Sequence, residues 1–276
     1  MKTIRIALTI LAIMQLTGCA TTTNSSVAGV DRKQLLILSE SQVQSMAAQS
    51  YVETLNAAKS KNSLNTNNTQ LTRVRNISNR LIAQTGQFRP DARNWKWEVN
   101  VETSDQINAY CMPGGKIMVY TGLIEKLKAT DAELAAVIGH EIAHALREHG
   151  RERLSVAAVQ QVGLMGLAVL AAGSSKNQNA AAAGVQAAAL GSNLFFALPN
   201  SREQEREADR IGLELAARAG FDPNAAVSLW QKMSAAAEGA PPEFLSTHPA
   251  NEARIADLKQ LIPQVMPLYQ QAKATK

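Results

Sequence analysis

Apolar residues recur at helical spacing along most of this 276-residue chain. Strict alternation of apolar and polar residues from Trp95 to Glu102 instead predicts a strand. Two further strands are expected at 107–112 and 116–120, on either side of the turn signal Pro113-Gly114-Gly115. The pattern therefore predicts an α+β protein that is mainly helical. Its predicted helices cover residues 39–60, 68–86, 130–149, 201–218, 223–237 and 250–261.

Residues 155–199 depart from this pattern because they are rich in alanine and poor in charge. Their longest uncharged apolar run, about eleven residues, is too short to cross a bilayer as a helix. Two interpretations stay open. The segment is either a pair of helices packed beside the rest of the domain, or a mobile lid or membrane-touching hairpin.

The beginning of the chain has the composition of a secretory signal. Lys2 and Arg5 precede a mostly apolar run, Ile6 to Leu16, that is too short to span a membrane. We therefore expect a signal peptide over residues 1–18. Removing its two basic residues lowers the formal net charge from +5 to +3, which leaves no marked basic character.

Leu16-Thr17-Gly18-Cys19 resembles the lipobox of bacterial lipoproteins. In that class the chain is cleaved before the cysteine, so Cys19 is expected to carry the lipid that holds the protein at a membrane. By the same resemblance, Ala20 after the cysteine implies the outer membrane, with the domain facing the periplasm. A flexible tether is expected over residues 19–34. The alternative is an ordinary signal peptide followed by an incidental cysteine.

The remaining chain suits one main domain over residues 35–265 and a short tail over 266–276. Its basic residues are scattered without interleaved aromatic residues, so no nucleic-acid partner is expected. Once Cys19 is lipidated, Cys111 is the only thiol and no internal disulfide can form. Cys111 is expected to be a small buried hydrophobic residue, with a redox or zinc-occluding role as the alternative.

Two of the four histidines form the pattern His140-Glu141-Ile142-Ala143-His144. Thr130 to Glu133 has the form of a capping box that begins a helix, and the pattern lies inside that helix. Positions i and i+4 share one helix face, so both imidazoles can bind one zinc ion while Glu141 acts as a general base. The pattern therefore predicts a zinc peptidase. The alternative is a surface helix with two inert histidines.

A catalytic zinc ion takes three protein ligands and keeps one position open, so a third ligand is needed. In a helix that continued to residue 149, His149 would face away from His140. Glu148 would lie about 12 Å from His140 along the axis of that helix. Neither residue is expected to be a ligand, although His149 can support the site structurally or from a second sphere.

Glu205 and Asp209 are better candidates because they form an i, i+4 pair on a stripe of small and apolar residues. Carboxylates in such a stripe are costly unless they are paired or bind a metal. Glu205 is the expected third ligand, and Asp209 is placed to accept the second ring N–H of a zinc-bound histidine. The alternative is that both pair with Arg202 or Arg206. An ordinary solvated face is expected for Glu203, Glu207, Arg210 and Glu214.

The fourth histidine lies in Ser246-Thr247-His248-Pro249, after a loop and before a helix. A side chain at such a position can reach into a cleft. A positioned donor there stabilises the oxyanion that forms when a peptide carbonyl is attacked. His248 is the candidate for this role, with assistance from Arg254. On the residues alone, a surface histidine that caps the last helix is an equal alternative.

Together these motifs resemble the CAAX prenyl endopeptidase/HtpX-like family of zinc metallopeptidases, which are gluzincins, over about residues 70–260. The similarity is greatest to periplasmic, single-domain lipoprotein members. The resemblance implies a zincin-like peptidase domain with a small β-sheet beside the HExxH helix. It is carried by Asn108-Ala109-Tyr110, Pro113-Gly114-Gly115, Thr121-Gly122-Leu123, residues 140–144, Glu205 with Asp209, and Thr247-His248-Pro249 with Arg254.

The resemblance also implies a role for each matching residue. Glu141 corresponds to the general base, and Asp209 to an acid that hydrogen-bonds a ligand. The strand near Asn108 looks like the edge strand that receives the backbone of an extended substrate. One Zn²⁺ ion per chain is implied, with His140, His144 and Glu205 as ligands and Asn108, Ala109 and Tyr110 as substrate-binding residues.

The sequence thus predicts a zinc metalloendopeptidase of the bacterial cell envelope. Its expected substrates are misfolded or unassembled envelope and outer-membrane polypeptides, and the outer-membrane assembly machinery is a candidate partner. The alternative belongs to another class of function. It is an envelope quality-control chaperone or binding module, in which proteolysis is slow or is gated by residues 155–199.

Overall fold

The structure is a computed structural model that describes residues 19–24, 26–171, 199–236, 242–249 and 252–275, with only the backbone of 162–171. Helices predominate and strands are few, which confirms the predicted α+β, mainly helical class. The helices are α1 (Glu40–Ser60), α2 (Asn68–Ile82), α3 (Thr121–Glu125), α4 (Asp131–Leu146), α5 (His149–Ala171), α6 (Arg202–Arg218), α7 (Asn224–Ala236), α8 (Glu243–Thr247) and α9 (Glu252–Ala274). The strands are β1 (Cys19–Ala20), β2 (Gln34–Leu35), β3 (Glu98–Glu102), β4 (Ala109–Met112) and β5 (Lys116–Tyr120), and 3₁₀ turns lie at Thr85–Gln87 and Pro90–Asn94.

The two helices that carry the site begin at capping boxes. The Thr130 hydroxyl accepts a hydrogen bond from the Glu133 N–H at the start of α4, as the sequence predicts. The Ser201 hydroxyl accepts one from Gln204 N–H at the start of α6. Such caps satisfy backbone donors that have no helical partner, and each contributes about 1 kcal/mol. The helix starts are therefore encoded locally.

The three longer strands form one small sheet in the order β3-β5-β4. β3 runs parallel to β5, and β4 pairs antiparallel with β5 so that Cys111 lies opposite Ile117. The hairpin between them contains Gly114 and Gly115, whose φ angles of +80° and +83° lie in the left-handed region that favours glycine. Helix α4 packs against β4, so the sheet lies beside the HExxH helix as expected.

Helices α4 and α6 cross in direct backbone contact. A Cβ atom added to Gly212 would lie 2.7 Å from the backbone nitrogen of His140. One added to Gly139 would lie 3.0 Å from the carbonyl oxygen of Gly212. A side chain at Gly212 would clash with the α4 backbone, and one at Gly139 would make an unusually tight contact, so the two glycines permit this approach. The crossing brings the acidic stripe of α6 against the histidine face of α4.

The HExxH helix ends earlier than the sequence predicts. Helix α4 stops at Leu146, and Glu148 adopts a left-handed backbone with a φ of 52° before α5 begins at His149. The prediction of one helix over residues 130–149 is therefore wrong at its C-terminal end. Because the helix breaks here, the His149 side chain points in a different direction from the one predicted for a continuous helix.

The C-terminal part of the chain is also more helical than expected. Helix α9 continues to Ala274 through Pro263 and Pro267, so most of the expected tail over residues 266–276 is helical. The loop that was expected before His248 contains the short helix α8. The prolines within α9 and the loop-like composition around α8 explain why the sequence predicted neither the extension of α9 nor the presence of α8.

The N-terminal segment, residues 19–34, packs against the domain instead of forming the expected flexible tether. Cys19 pairs with Leu35 and Ala20 with Gln34 in a short antiparallel ladder. Ala28 is fully buried, and its N–H donates to Glu214 Oε2 over 2.7 Å. The polar composition of the segment predicted flexibility. Its backbone and side chains instead find partners on α4, α5 and α6.

Several predictions fall on other parts of the chain. The expected signal peptide, residues 1–18, lies outside the described residues. So do residues 172–198, which form most of the alanine-rich segment, whereas its beginning continues α5 to Ala171. None of the helices in the described ranges combines the length and apolar character needed to cross a membrane.

Candidate active site

Four side chains from three parts of the fold converge on one buried point. His140 and His144 come from α4, Glu205 from the first turn of α6, and His248 from the end of α8. One potential ligand atom from each lies within 4.8 Å of the others, and all four residues are buried. The Nε2 atoms of His140 and His144 are 3.1 Å apart. The Glu205 carboxylate lies 3.4 Å and 3.3 Å from these two nitrogens.

This donor set fits a zinc ion. Imidazole nitrogens and a carboxylate oxygen are ligands that zinc prefers, and three of them with one open position form a catalytic site. The pocket also favours positive charge. Burial lowers the pKa of His140, but the carboxylates of Asp209 and Glu205 outweigh burial and raise that pKa to about 9. A cation bound here would meet the same two carboxylates.

Asp209 contacts the face of His140 that points away from the shared centre. Its Oδ1 lies 3.0 Å from His140 Nδ1. Burial raises the pKa of Asp209, but the nearby Arg254 guanidinium and His140 together hold it below its ordinary value. Asp209 is therefore a charged acceptor in the position that the sequence suggested.

Arg254 does not have the oxyanion-stabilising position that the sequence predicted. Its Nε and Nη2 donate to the two Asp209 oxygens over 2.6 Å and 2.7 Å, and its Nη1 lies 2.7 Å from Glu205 Oε2. The guanidinium carbon stacks over the Trp230 ring at 3.9 Å. The side chain thus clamps two carboxylates, which corrects the expectation of a second oxyanion donor. The alternative pairing partner Arg206 instead contacts Glu203.

His144 has a different kind of support. Its Nδ1 lies 2.8 Å from Nδ1 of His149, and the Nε2 of His149 lies 2.9 Å from Glu207 Oε2. Burial lowers the pKa of His149 to about 4, although the adjacent Glu207 opposes that effect. His149 is therefore a neutral imidazole at neutral pH.

Sequence reasoning placed Glu207 and Glu214 on a solvated face of α6, and the structure contradicts this. Both are buried because the N-terminal segment covers that face. Arg32 of that segment donates from Nε to Glu207 Oε1 over 2.7 Å. No periodicity in α6 marks the burial, since the covering residues are distant in sequence. Arg32 stands between two other charged residues, Asp31 and Lys33, so its sequence context gives no local clue to this contact.

Glu141 lies on the same helix as the two histidines and is buried. Burial raises its pKa above the ordinary value for a glutamate, despite the opposing effects of His248 and His140. A raised pKa brings a carboxylate closer to the range in which a general base both accepts and returns a proton at neutral pH. The position suits the base predicted from the sequence.

The structure brings His248 nearer to the ligands than the sequence suggested. Its Nδ1 lies 2.9 Å from Glu205 Oε1 and 3.2 Å from His140 Nε2, while Nε2 is 3.5 Å from Glu141 Oε1. Its ring stacks on Phe244 at a centroid distance of 4.4 Å. His248 is therefore not a surface cap. It is a fourth group at the centre.

A cleft beside these residues is bordered by β4. Asn108, Ala109, Tyr110 and Cys111 line it, and so do Glu141, His144 and His248. Among the described strands, β4 lies at one edge of the sheet. Cys111 is buried, and burial raises the pKa of its thiol well above the ordinary value. This is the environment of a small apolar residue.

This geometry is that of an HExxH metallopeptidase site with a glutamate on a second helix. The sequence profile of Peptidase family M48 matches residues 68–262, and the chain belongs to this family. Members of the family use zinc, so the predicted class of enzyme and its metal are confirmed at family level.

Similar proteins include mitochondrial and bacterial proteases. The mitochondrial metalloendopeptidase OMA1 of Schizosaccharomyces pombe is 35% identical over 193 residues, which cover 69% of this chain and 52% of the relative. Metalloendopeptidase OMA1, mitochondrial, of Bos taurus is 37% identical over 192 residues, 67% of this chain and 36% of the relative. The beta-barrel assembly-enhancing protease of Yersinia pestis is 30% identical over 200 residues, which cover 70% of this chain and 39% of the relative. The aligned region thus spans 36–52% of the length of these relatives.

Proposed function

We propose that this chain is a zinc-dependent metalloendopeptidase. The observation that carries the proposal is the convergence of His140, His144 and Glu205, with Glu141 buried beside them at the edge of a cleft. Each side chain comes from an element whose start or crossing is encoded by a cap or a glycine. The site is therefore a feature of the fold and not a chance cluster on its surface.

His140, His144 and Glu205 would hold the metal. When bound, zinc supplies a Lewis acid that polarises the scissile carbonyl and lowers the pKa of water to about 7. Glu141 accepts the proton of the attacking water and delivers it to the leaving amine. Asp209 accepts the Nδ1 proton of His140 and thereby fixes the ring so that Nε2 faces the centre.

His248 would serve the oxyanion and not the metal in the reacting state. Four protein ligands complete a tetrahedral zinc site, whereas catalysis needs one position for water. The Nε2 atom of His248 lies 3.5 Å from Glu141 Oε1. It would therefore be next to the carbonyl group that the water attacks. A donor so placed stabilises the developing negative charge.

The substrate would be an extended polypeptide aligned along β4. A strand at the edge of a sheet has backbone groups that can hydrogen-bond an added strand. Asn108, Ala109 and Tyr110 line the same cleft as Glu141, so a peptide held along them would lie near the base.

The proposed setting is the bacterial cell envelope. The lipobox-like Leu16 to Cys19 supports a lipid anchor at Cys19, and Ala20 supports the outer membrane. A bacterial relative carries the name beta-barrel assembly-enhancing protease. Misfolded or unassembled outer-membrane polypeptides are therefore the proposed substrates, and the machinery that assembles such proteins is the proposed partner. The resemblance to CAAX prenyl endopeptidase/HtpX-like enzymes is part of this proposal.

Glu141→Gln tests the proposal most directly. The variant should bind zinc as wild type does but hydrolyse an unfolded polypeptide at least about a hundredfold more slowly, since the amide cannot accept a proton. Zinc content and fragment formation measure the two properties separately. Hydrolysis at the wild-type rate would refute the assignment of Glu141 as the base.

A chaperone or binding module is the second candidate. The observation that favours it is His248, which occupies the centre of the site in this structure. Complementation of a deletion strain separates the two functions. Rescue by Glu141→Gln would favour binding, and failure to rescue would favour proteolysis.

A further inference from the structure

Each histidine of the HExxH motif has two ring nitrogens, and only one of them faces the shared centre. The Nε2 atoms of His140 and His144 lie 3.1 Å apart at that centre. The Nδ1 atoms point to different partners, which are Asp209 at 3.0 Å for His140 and His149 at 2.8 Å for His144. The two rings are thus held in two different ways.

A histidine that binds a metal through Nε2 carries its proton on Nδ1 and needs an acceptor there. His149 Nδ1 is an acceptor only when the proton of His149 is on Nε2. Glu207 Oε2, at 2.9 Å from that Nε2, accepts this proton. We propose that His149 and Glu207 are positioning residues for His144, an inference that rests on the proposed function.

The backbone break after α4 makes this arrangement possible. Because Glu148 is left-handed, α5 starts in a new direction and His149 faces His144 instead of the opposite side. His149 is fully buried, and Glu207 is 3% exposed. Water therefore cannot easily replace either partner.

The N-terminal segment completes the arrangement. Arg32 donates to both oxygens of Glu207, over 2.7 Å from Nε and 3.2 Å from Nη2. The carbonyl oxygen of Arg32 accepts a hydrogen bond from Arg147 Nη2 over 2.9 Å, and Arg147 Nε donates to Glu207 Oε2 over 3.2 Å. Both arginines fix the carboxylate that orients His149. The segment that follows the proposed lipid anchor is therefore connected to a zinc ligand through Glu207 and His149.

The test compares His149→Leu with His149→Asn in the full-length chain. Asparagine retains an acceptor oxygen near the position of the lost Nδ1, whereas leucine of similar size has none. We expect His149→Leu to weaken zinc binding by about 10- to 100-fold, and His149→Asn to recover about tenfold of that loss. Zinc affinity is measured by competition with a chromophoric chelator. The melting temperature of the metal-free chain is measured in parallel.

Glu207→Gln and Arg32→Ala test the outer part of the arrangement. Glu207→Gln should weaken zinc binding by about tenfold, because the amide is a poorer acceptor for the His149 proton. Arg32→Ala should weaken it about two- to fivefold, as expected for a partly exposed ion pair. Arg73→Ala is the matched control, since Arg73 and Arg32 have the same side-chain exposure of 31% and both pair with a carboxylate. It should leave zinc affinity unchanged.

A purely structural role predicts a different result. Variants would then lower the melting temperature of the metal-free chain but leave the increase on adding zinc unchanged. That result, or equal zinc affinities for His149→Leu and His149→Asn, would overturn the proposal. If His149→Leu does not fold, the zinc affinity of Glu207→Gln becomes the deciding measurement. Wild-type zinc affinity in that variant would refute the positioning role.

These outcomes are separate from failure of the proposed function. A wild-type chain that binds no zinc, or a Glu141→Gln variant that retains hydrolysis, would contradict the peptidase itself. Normal zinc binding by wild type together with normal binding by His149→Leu would contradict only the positioning role.

Discussion

Gly212 of α6 lies directly against the backbone of His140 in α4. A Cβ atom at Gly212 would be 2.7 Å from His140 N, a distance that real side chains essentially never show. The helix that supplies Glu205 and Asp209 can therefore approach the histidine helix this closely because position 212 is glycine, and glycine at position 139 avoids a further tight contact. The geometry of the candidate metal site depends on this contact as much as on the ligands themselves.

Gly212→Ala should push α6 away from α4. We expect a loss of about 1–3 kcal/mol in the free energy of unfolding, as for other overpacked sites, and weaker zinc binding. Gly139→Ala is the graded comparison, because its added Cβ would meet the Gly212 carbonyl oxygen at the less severe distance of 3.0 Å. Denaturant unfolding and zinc titration measure both effects. A Gly212→Ala variant as stable as wild type would contradict the proposed crossing.

His248→Ala distinguishes the two possible roles of this residue, as an oxyanion donor and as a metal ligand. If His248 acts on the oxyanion, the variant should retain zinc and lose about a hundred- to a thousandfold in kcat, as when an oxyanion donor is removed. Zinc analysis and steady-state hydrolysis of an unfolded polypeptide measure both quantities. Loss of zinc in parallel with activity would instead make His248 a ligand.

Arg254→Ala should be among the most destabilising single changes in the site. It leaves Asp209 and Glu205 buried without their guanidinium partner, and breaking a buried ion pair in this way costs about 3–5 kcal/mol. Arg254→Lys keeps the charge but not the two parallel bonds to Asp209, so an intermediate loss is expected. Chemical unfolding of the metal-free chains provides the measurement. Equal stability of all three proteins would refute the role of the clamp.

The stability of the protein should fall in acid partly through Glu152. Burial raises the pKa of Glu152, but hydrogen bonds from Arg32, Gln204 and Gln34 outweigh burial and lower it to about 2, from an ordinary value of 4.5. The folded state therefore binds this proton less readily than the unfolded state. The contribution of Glu152 to stability is fully present above about pH 4.5 and is lost as the pH falls toward 2.

Glu152→Gln tests this dependence. The variant should be less stable than wild type at pH 7, and the difference should shrink as the pH falls from 4.5 to about 2. Melting temperatures across this range measure it. Arg80→Ala serves as the control, because Arg80 donates to the backbone carbonyl oxygens of Ala219 and Gly220, which do not titrate in acid. Its difference from wild type should show no matching decrease. A Glu152→Gln difference that is constant with pH would contradict the assignment.

The sequence alone determined the features that are local. A capping box predicted the start of α4, the helical pattern predicted α6, and strand alternation predicted the small sheet. The i, i+4 spacing predicted that His140 and His144 share one face. Helical spacing likewise singled out Glu205 and Asp209, because such a pattern depends only on neighbours along the chain.

The tertiary structure decided everything that depends on contacts between distant segments. One left-handed residue, Glu148, redirected His149 toward His144, which no periodic pattern signals. The N-terminal segment covered the face of α6 that sequence reasoning had left to solvent, and so buried Glu207 among arginines. Arg254 pairs with Asp209 because a buried carboxylate without a partner costs more free energy than an open cleft without a second oxyanion donor. Periodicity specifies which face a residue occupies within its own helix, but only packing specifies what that face meets.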